Sequence, residues 1–177
     1  MKIGILSDSH LKSDYAKEVI DLLKEKNCEY LIHAGDFCCE KNLQLLKESN
    51  LKYIVVFGNN DRDLFDLASK YFPKVIKVRM VSEPYYFKIE DLKFKLMHLP
   101  YHLTPDSNIV IFGHTHKFHC EYTNKTLFLN PGEVCAREEP IISCMQLEIN
   151  ENEYIISRYF KNINENNFMK EEFKYER

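Results

Sequence analysis

The chain has 177 residues, a formal net charge of −3 and a hydrophobic fraction of 45%, which are values typical of one soluble globular domain. We expect a single domain over residues 1–177. A slightly acidic chain lacks the basic stripe with which proteins bind long nucleic acids or membrane surfaces, so we expect neither partner. The first residues lack the features of a signal peptide, and no apolar run approaches the roughly 20 residues that cross a bilayer. These features predict a cytoplasmic protein.

The first part of the chain alternates apolar runs with segments of helical periodicity. The apolar runs, typical of buried strands, are KIGIL (2–6), EYLIHAGD (29–36) and KYIVVFGNND (52–61). The helical segments are YAKEVIDLLKEKN (15–27), KNLQLLKESN (41–50) and DLFDLASKYF (63–72). Asp14 is predicted to cap the first helix. This alternation predicts parallel strands joined by right-handed crossovers.

Beyond Pro73 short segments of β type dominate. They are KVIKVRM (74–80), PYYFKI (84–89), LKFKLMH (92–98), NIVIFGH (108–114), TLFLN (126–130), IISCMQLEI (141–149) and EYIISRYF (153–160). Residues from about 162 to 177 are polar and charged, and we expect this tail to lie on the surface or to fray. The sequence therefore predicts an α/β first half and a β-rich second half.

Oxygen and nitrogen donors follow the ends of five predicted strands. These donors are Asp8, His10, Asp36, Asn59, His98, His114 and His116. Ligands of an open α/β sheet bind beyond the carboxyl ends of its strands, so the seven side chains should meet at one edge. One divalent ion takes about four to six ligands, so seven donors predict two ions that share a carboxylate. Imidazole and carboxylate ligands without thiolate suit Mn, Fe, Zn or Ni better than Ca.

Five short motifs occur in a characteristic order along the chain. They are DSH (8–10), GD (35–36), GNND (58–61), the lone His98, and GHTH (113–116). In this order they resemble the signature of the calcineurin-like metallophosphoesterases. The short length and the stretch LNPGEVCAR (129–137) are similar to the small YfcE-type phosphodiesterase branch. The resemblance implies a two-layer β-sandwich of mixed sheets flanked by helices, four layers in the order αββα, with a dinuclear metal centre between the sheets.

The resemblance also implies how the donors are shared between two metal ions. The first ion would be held by Asp8, His10, Asp36 and His116. The second ion would be held by Asp36, Asn59, His98 and His114, so that Asp36 bridges the pair. Mn²⁺ is the metal we expect first, with Ni²⁺, Mg²⁺, Zn²⁺ or Fe as alternatives.

The chain departs from the family pattern at two positions that bear on catalysis. Asn60 stands where the superfamily often has a histidine that protonates the leaving group, and an amide cannot supply that proton. His102 is a candidate for the missing acid, and it is also an alternative to His98 as a metal ligand. Glu133 occupies the usual serine of N-P-G-S, where we expect it to add negative charge near the substrate entrance. Asn60 and Arg137 are the candidate contacts for the substrate.

These observations together predict a metal-dependent phosphodiesterase for small phosphodiesters, in which a hydroxide that bridges the two ions attacks phosphorus. Two other functions stay open. One is a protein-binding scaffold, since the retromer complex includes a subunit with this fold and a degraded metal site. The other is a phosphomonoesterase or nuclease with the same chemistry. The residues at Asn60 and Glu133 favour the scaffold slightly, whereas the complete set of ligand histidines opposes it. Exposed strand edges in the second half also permit a homodimer.

Overall fold

The first of two β-sheets joins the two ends of the chain. The computed structural model describes residues 1–64 and 84–177. Within these ranges the first sheet consists of β1 (Lys2–Leu6), β2 (Tyr30–His33), β3 (Lys52–Val55), β9 (Ile141–Ile149), β10 (Glu153–Asn162) and β11 (Met169–Glu176). Their order is β11-β10-β9-β1-β2-β3. The strands β1, β2 and β3 are parallel, as the alternation of strand and helix predicts, and β9 to β11 add to them in antiparallel fashion.

The second sheet is formed by the middle of the chain. Its described strands are β4 (Tyr85–Ile89), β5 (Leu92–Leu96), β6 (Ile109–Ile111), β7 (Phe118–Thr123) and β8 (Thr126–Pro131). Their order is β4-β5-β6-β8-β7. The inner strands β5, β6 and β8 are parallel, and β4 and β7 close the two edges in antiparallel pairing. Both sheets are therefore mixed.

The main core lies between the two sheets. Ile3, Ile5 and Met145 of the first sheet belong to the same buried cluster as Phe94 and Ile109 of the second. Burial of this apolar surface is the largest favourable contribution to the fold, at about 25 cal/mol per Å². The predicted two-layer sandwich of mixed sheets is thus confirmed.

Two helices cover the outer face of the first sheet. The helix α1 spans Ser13–Glu25 and α2 spans Glu40–Glu48. Val19 and Leu23 of α1 are fully buried, as is Leu43 of α2, in a second cluster that includes residues of the first sheet. No helix in the described parts of the chain has the length and apolarity needed to cross a membrane.

Two local predictions differ from the structure. Asp14 does not cap α1: the N-cap position is Lys12, and Asp14 lies in the first turn, where a carboxylate still interacts favourably with the helix dipole. The strand β7 is missing from the prediction although Phe118, Cys120 and Tyr122 alternate with polar residues along it; its side chains are mostly only partly buried. The helix predicted over 63–72, apart from a 3₁₀ turn at Arg62–Leu64, and the strand predicted over 74–80 lie outside the described residues.

The polar C-terminal segment lies on the surface, one of the two predicted alternatives, but most of it forms an edge strand and does not fray. The eight residues of β11 pair with β10 in antiparallel register from Met169 to Glu176. Most of these side chains are exposed, which is how edge strands with many charges avoid pairing with other chains.

Candidate metal centre

The loops that follow five strands bring the seven predicted donors to one end of the sandwich. Asp8 and His10 follow β1, Asp36 follows β2, Asn59 follows β3, His98 follows β5, and His114 and His116 follow β6. A cleft of about 340 Å³ is lined by five of these seven residues together with Asn60 and Arg137. The structure therefore places the donors as their positions at strand ends predict.

The first group of donors contains two buried atoms that have no hydrogen-bond partner among the described residues. These are Asp8 Oδ1 and His10 Nε2. His116 Nε2 lies 3.4 Å from Asp8 Oδ1, and His10 Nε2 lies 3.7 Å from Asp36 Oδ2. A buried polar atom left without a partner costs about 1–3 kcal/mol. A cation at the point where these atoms converge would satisfy all of them, so the residues fit the first ion.

The second group shares Asp36 with the first. His98 Nε2 lies 3.5 Å from Asp36 Oδ2 and 3.0 Å from Asn59 Oδ1. His114 Nδ1 lies 3.1 Å from the same Asn59 oxygen. His98 Nδ1 donates to the carbonyl oxygen of Ala34 at 2.7 Å, which directs its other nitrogen toward the cleft. The four side chains that the resemblance assigns to the second ion therefore also lie together.

The electrostatics of the centre favour a positive charge. Burial opposes the charged form of His98, but its hydrogen bond to Asp36 and the field of Asp8 raise the pKa of the ring to about 9. Burial likewise opposes ionisation of Asp36, yet the contacts with His98 and Asn60 hold the pKa of this carboxyl far below its usual range. The carboxylates thus stabilise a cation in their midst, whether it is a proton on His98 or a metal ion.

Most of the predicted ligands sit on strained backbone. The φ angles are positive for five of the seven, namely Asp8 (53°), His10 (44°), Asp36 (59°), His114 (67°) and His116 (61°). Each such residue costs of order 1–3 kcal/mol, and clusters of them mark functional sites. Asp, Asn and His tolerate this conformation better than most residues. The strain is concentrated on the side chains that would bind metal.

Two side chains that hold the donors in place, Ser7 and Asp61, are not among the predicted site residues. Ser7 Oγ donates to Asp8 Oδ2 at 2.6 Å. Asp61 is fully buried, and it accepts the backbone N–H groups of Asp36, Cys38 and Gly58 at 2.7 to 2.8 Å. Its position at the end of GNND was the available signal, since a buried aspartate in a turn commonly accepts backbone N–H groups.

Glu133 does not lie at the substrate entrance, as its sequence position had suggested. The residue is only 3% exposed, and its Oε2 accepts a hydrogen bond from His116 Nδ1 at 2.7 Å. Burial opposes its ionisation, but the hydrogen bonds from His116, Cys135 and nearby backbone N–H groups lower the pKa of the carboxyl to about 2. Glu133 is therefore an ionised residue behind a predicted ligand.

Of the three candidates for catalysis and substrate binding, two lie at the cleft and one does not. Asn60 is exposed at the rim, where its side-chain amide donates to Asp36 Oδ2 at 2.7 Å. Arg137 lines the same cleft. His102 is exposed in a 3₁₀ turn, Pro100–His102, and is absent from the described lining of the cleft, so the structure does not bring it to the donors. Its role as catalytic acid or as a substitute for His98 has no structural support.

A family model, the calcineurin-like phosphoesterase superfamily domain, matches residues 1–152. The chain therefore belongs to this superfamily of metallophosphoesterases. It is similar to the Phosphodiesterase MJ0936 of Methanocaldococcus jannaschii, with 29% identity over 161 residues that make up 87% of this chain and 96% of that protein.

Two solved structures illustrate the likeness of the fold. A structure described as a novel archaeal phosphodiesterase has a TM-score of 0.74 and 26% identity, and the match covers 99% of each chain. Vps29 of Entamoeba histolytica in complex with Zn²⁺ has a TM-score of 0.73 and 22% identity, with 98% of this chain and 99% of that chain covered. The second match shows the shared fold alone.

Proposed function

We propose that this chain is a metal-dependent phosphodiesterase that hydrolyses small phosphodiesters at a dinuclear centre. The observation that carries the proposal is the convergence of seven donors from five strand ends, in which Asp8 Oδ1 and His10 Nε2 are buried with no hydrogen-bond partner in residues 1–64 and 84–177. The 29% identity with a phosphodiesterase over most of both chains supports the reaction class.

The chain's own residues divide into two ligand sets that share Asp36. The first set is Asp8, His10, Asp36 and His116, and the second is Asp36, Asn59, His98 and His114. When bound, two divalent ions polarise phosphoryl oxygens and lower the pKa of a water molecule toward neutrality. Two divalent ions also exceed the charge of the two carboxylates, which leaves a positive cleft that attracts an anionic ester.

The rim residues determine which esters react. Arg137 adds a positive charge beside the cleft. Asn60 is held on Asp36 through its side-chain amide and through its backbone N–H at 3.0 Å, and its amide can donate to a phosphoryl oxygen. It cannot protonate the departing alcohol. Esters whose leaving group is already a weak base should therefore react fastest.

The test is hydrolysis of bis(p-nitrophenyl) phosphate and of the p-nitrophenyl monoester by chelator-treated protein, with and without Mn²⁺. We expect Mn²⁺ to restore turnover, with the diester faster than the monoester. The variant His116→Ala should lose this turnover. Its matched control is His119→Ala, which removes a histidine of the same GHTHKFH stretch that is partly exposed and pairs with Glu121 outside the donor cluster. Retained activity in His116→Ala would contradict the assignment of ligands, and a faster monoester would reassign the enzyme to the monoesterases.

The scaffold hypothesis predicts a different result in the same assay. Its support is the likeness in fold to Vps29 together with Asn60 in place of the leaving-group acid. A scaffold with a degraded site should neither bind Mn²⁺ nor hydrolyse either ester. Mn²⁺ binding without turnover would instead indicate that the acid at this position is required for the esters tested.

A further inference from the structure

A buried carboxylate lies directly behind one of the proposed metal ligands. Glu133 Oε2 lies 2.7 Å from His116 Nδ1, and the two side chains are 3% and 11% exposed. The carboxyl receives further hydrogen bonds from the thiol of Cys135 at 3.0 Å and from the backbone N–H of Arg137 at 2.9 Å. Its other oxygen, Oε1, accepts the N–H groups of the next two residues, 138 and 139, at 2.8 and 3.0 Å.

This contact determines the tautomer of His116 and which of its ring nitrogens faces the cleft. An ionised carboxylate only accepts hydrogen bonds, so Nδ1 of the ring must carry a proton. In the neutral ring Nε2 then has a lone pair, and Nε2 is the atom that lies 3.4 Å from Asp8 Oδ1. A carboxylate behind a histidine ligand fixes the tautomer and the orientation of the ring, and it makes the ring a stronger ligand.

The outer nitrogens of His98 and His10, which face away from the carboxylates of the centre, contact uncharged partners. The outer nitrogen of His98 donates to the backbone carbonyl of Ala34. The outer nitrogen of His10 lies 3.2 Å from the thiol of Cys38, whose pKa is raised to about 12 by burial and by nearby aspartates. Glu133 therefore distinguishes His116 from the other two rings.

The same carboxylate also fixes the loop that carries Arg137. Three consecutive backbone N–H groups, from 137 to 139, point at Glu133, and Arg137 and Glu138 line the cleft. One side chain thus links a metal ligand to the segment that faces the substrate. Serine at this position would be too short to reach all of these partners.

We propose that Glu133 is a positioning residue of the first ion's site: it fixes His116 with Nε2 toward the ion, strengthens metal binding there, and holds the Arg137 loop against the same site. The inference rests on the proposed dinuclear centre. Partners of this kind typically change metal affinity 10- to 100-fold (about 1.4 to 2.7 kcal/mol).

The first experiment uses the metal-free protein. In ¹⁵N-detected NMR of the histidine rings, at a pH where His116 is neutral, we expect its proton on Nδ1. The variant Glu133→Gln, whose amide can present either oxygen or nitrogen to the ring, should give a mixture of tautomers. A wild-type ring with its proton on Nε2 would overturn the proposal without any variant being needed.

The second experiment is calorimetric titration with Mn²⁺ alone. Glu133→Gln should weaken one of two sites by about 10- to 100-fold and leave the other near its wild-type affinity. Cys38→Ala is the matched control, because it removes the uncharged partner of His10 and should change the affinity much less. If Glu133→Gln does not fold by thermal melting, Glu133→Ser, with the residue usual in N-P-G-S, takes its place and should give the same weakening.

The outcomes separate this inference from the proposed function. Absence of Mn²⁺ binding by the wild-type protein would overturn both, since no centre would exist for Glu133 to support. If the wild type binds two Mn²⁺ ions and Glu133→Gln binds both with unchanged affinity, the role of Glu133 is overturned and the proposed function is not. Equal weakening in Cys38→Ala and Glu133→Gln would also overturn it, because the charge of the partner would then have no effect.

Discussion

A single methyl group at Gly58 should disable both proposed metal sites. A Cβ added to Gly58 would lie 2.0 Å from Asp36 Oδ1 and 2.5 Å from the backbone nitrogen of Asp36. Real Cβ atoms essentially never approach closer than 3.0 Å, so the carboxylate would have to move by at least about 1 Å. Metal sites tolerate errors of only about 0.2 Å in ligand distance. Because Asp36 belongs to both ligand sets, Gly58→Ala should remove binding of both ions.

The stability of the metal-free protein should fall as well. Overpacking by one methyl group typically costs about 1–3 kcal/mol. Gly4→Ala is the matched control, since its Cβ would lie 2.9 Å from side-chain atoms of Leu23 and Leu31 in the core, away from the donors. Both variants should unfold at lower temperature than the wild type when a chelator is present.

The assay is thermal unfolding with chelator and with Mn²⁺ at about 100 times its dissociation constant. Binding at one site then stabilises the folded state by about 2.7 kcal/mol, which raises the melting temperature of a chain of this size by roughly 5 to 10 °C. We expect this increase in the wild type and in Gly4→Ala, but not in Gly58→Ala. A Mn²⁺-induced increase in Gly58→Ala equal to that of Gly4→Ala would refute the bridging role of Asp36.

Three further predictions concern residues around the centre. Asn60→His restores a possible acid. The ratio of turnover between diesters with poor leaving groups and the nitrophenyl diester should therefore rise by about 10²-fold in steady-state kinetics. An unchanged ratio would mean that no acid is needed at this position. Ser7→Ala removes the hydrogen bond that orients Asp8 and should weaken Mn²⁺ binding by about tenfold in calorimetry, with little change in far-UV circular dichroism. Burial lowers the pKa of His33 to about 3, so the unfolded chain takes up this proton near pH 6.5 and the folded chain does not; stability is full above pH 6.5 and is lost as the pH falls. Between pH 7 and pH 5, with chelator present, the wild type should therefore lose up to about 2 kcal/mol more unfolding free energy than His33→Phe does. Urea titrations at the two pH values measure this difference. Equal losses in the two proteins would contradict a neutral buried ring.

The sequence predicts well those features that are encoded locally. The bounds of β1 and β9 agree with the apolar runs that mark them. The donors could be predicted because each lies within five residues after a strand end, where topology alone brings side chains together. The strand β11 was not found because it is mostly charged and is defined by its pairing with β10, whereas β7 alternates Phe118, Cys120 and Tyr122 with polar residues and was overlooked.

Spacing along the sequence does not predict where a side chain within a loop points. His102 lies four residues after His98 and was a reasonable candidate for the acid on spacing alone. Pro100 begins a 3₁₀ turn that leaves His102 exposed at the surface, whereas His98 is fully buried among the donors. For Glu133 the error runs the other way. The sequence predicts that it adds negative charge near the substrate entrance, but in the structure it is buried and accepts a hydrogen bond from the predicted ligand His116.

The position of Glu133 changes the balance between enzyme and scaffold. From sequence, Asn60 and Glu133 both counted as departures that favour loss of metal chemistry. In the structure Glu133 is a further buried carboxylate beside Asp8, Asp36 and Asp61, and burying a carboxylate is costly unless it is paired or hydrogen-bonded. A chain released from metal binding would gain stability by losing such carboxylates and the strained backbone beneath the ligands. Their joint presence supports the proposed cation at the centre, and under that proposal Asn60 would change the leaving-group preference instead of abolishing turnover.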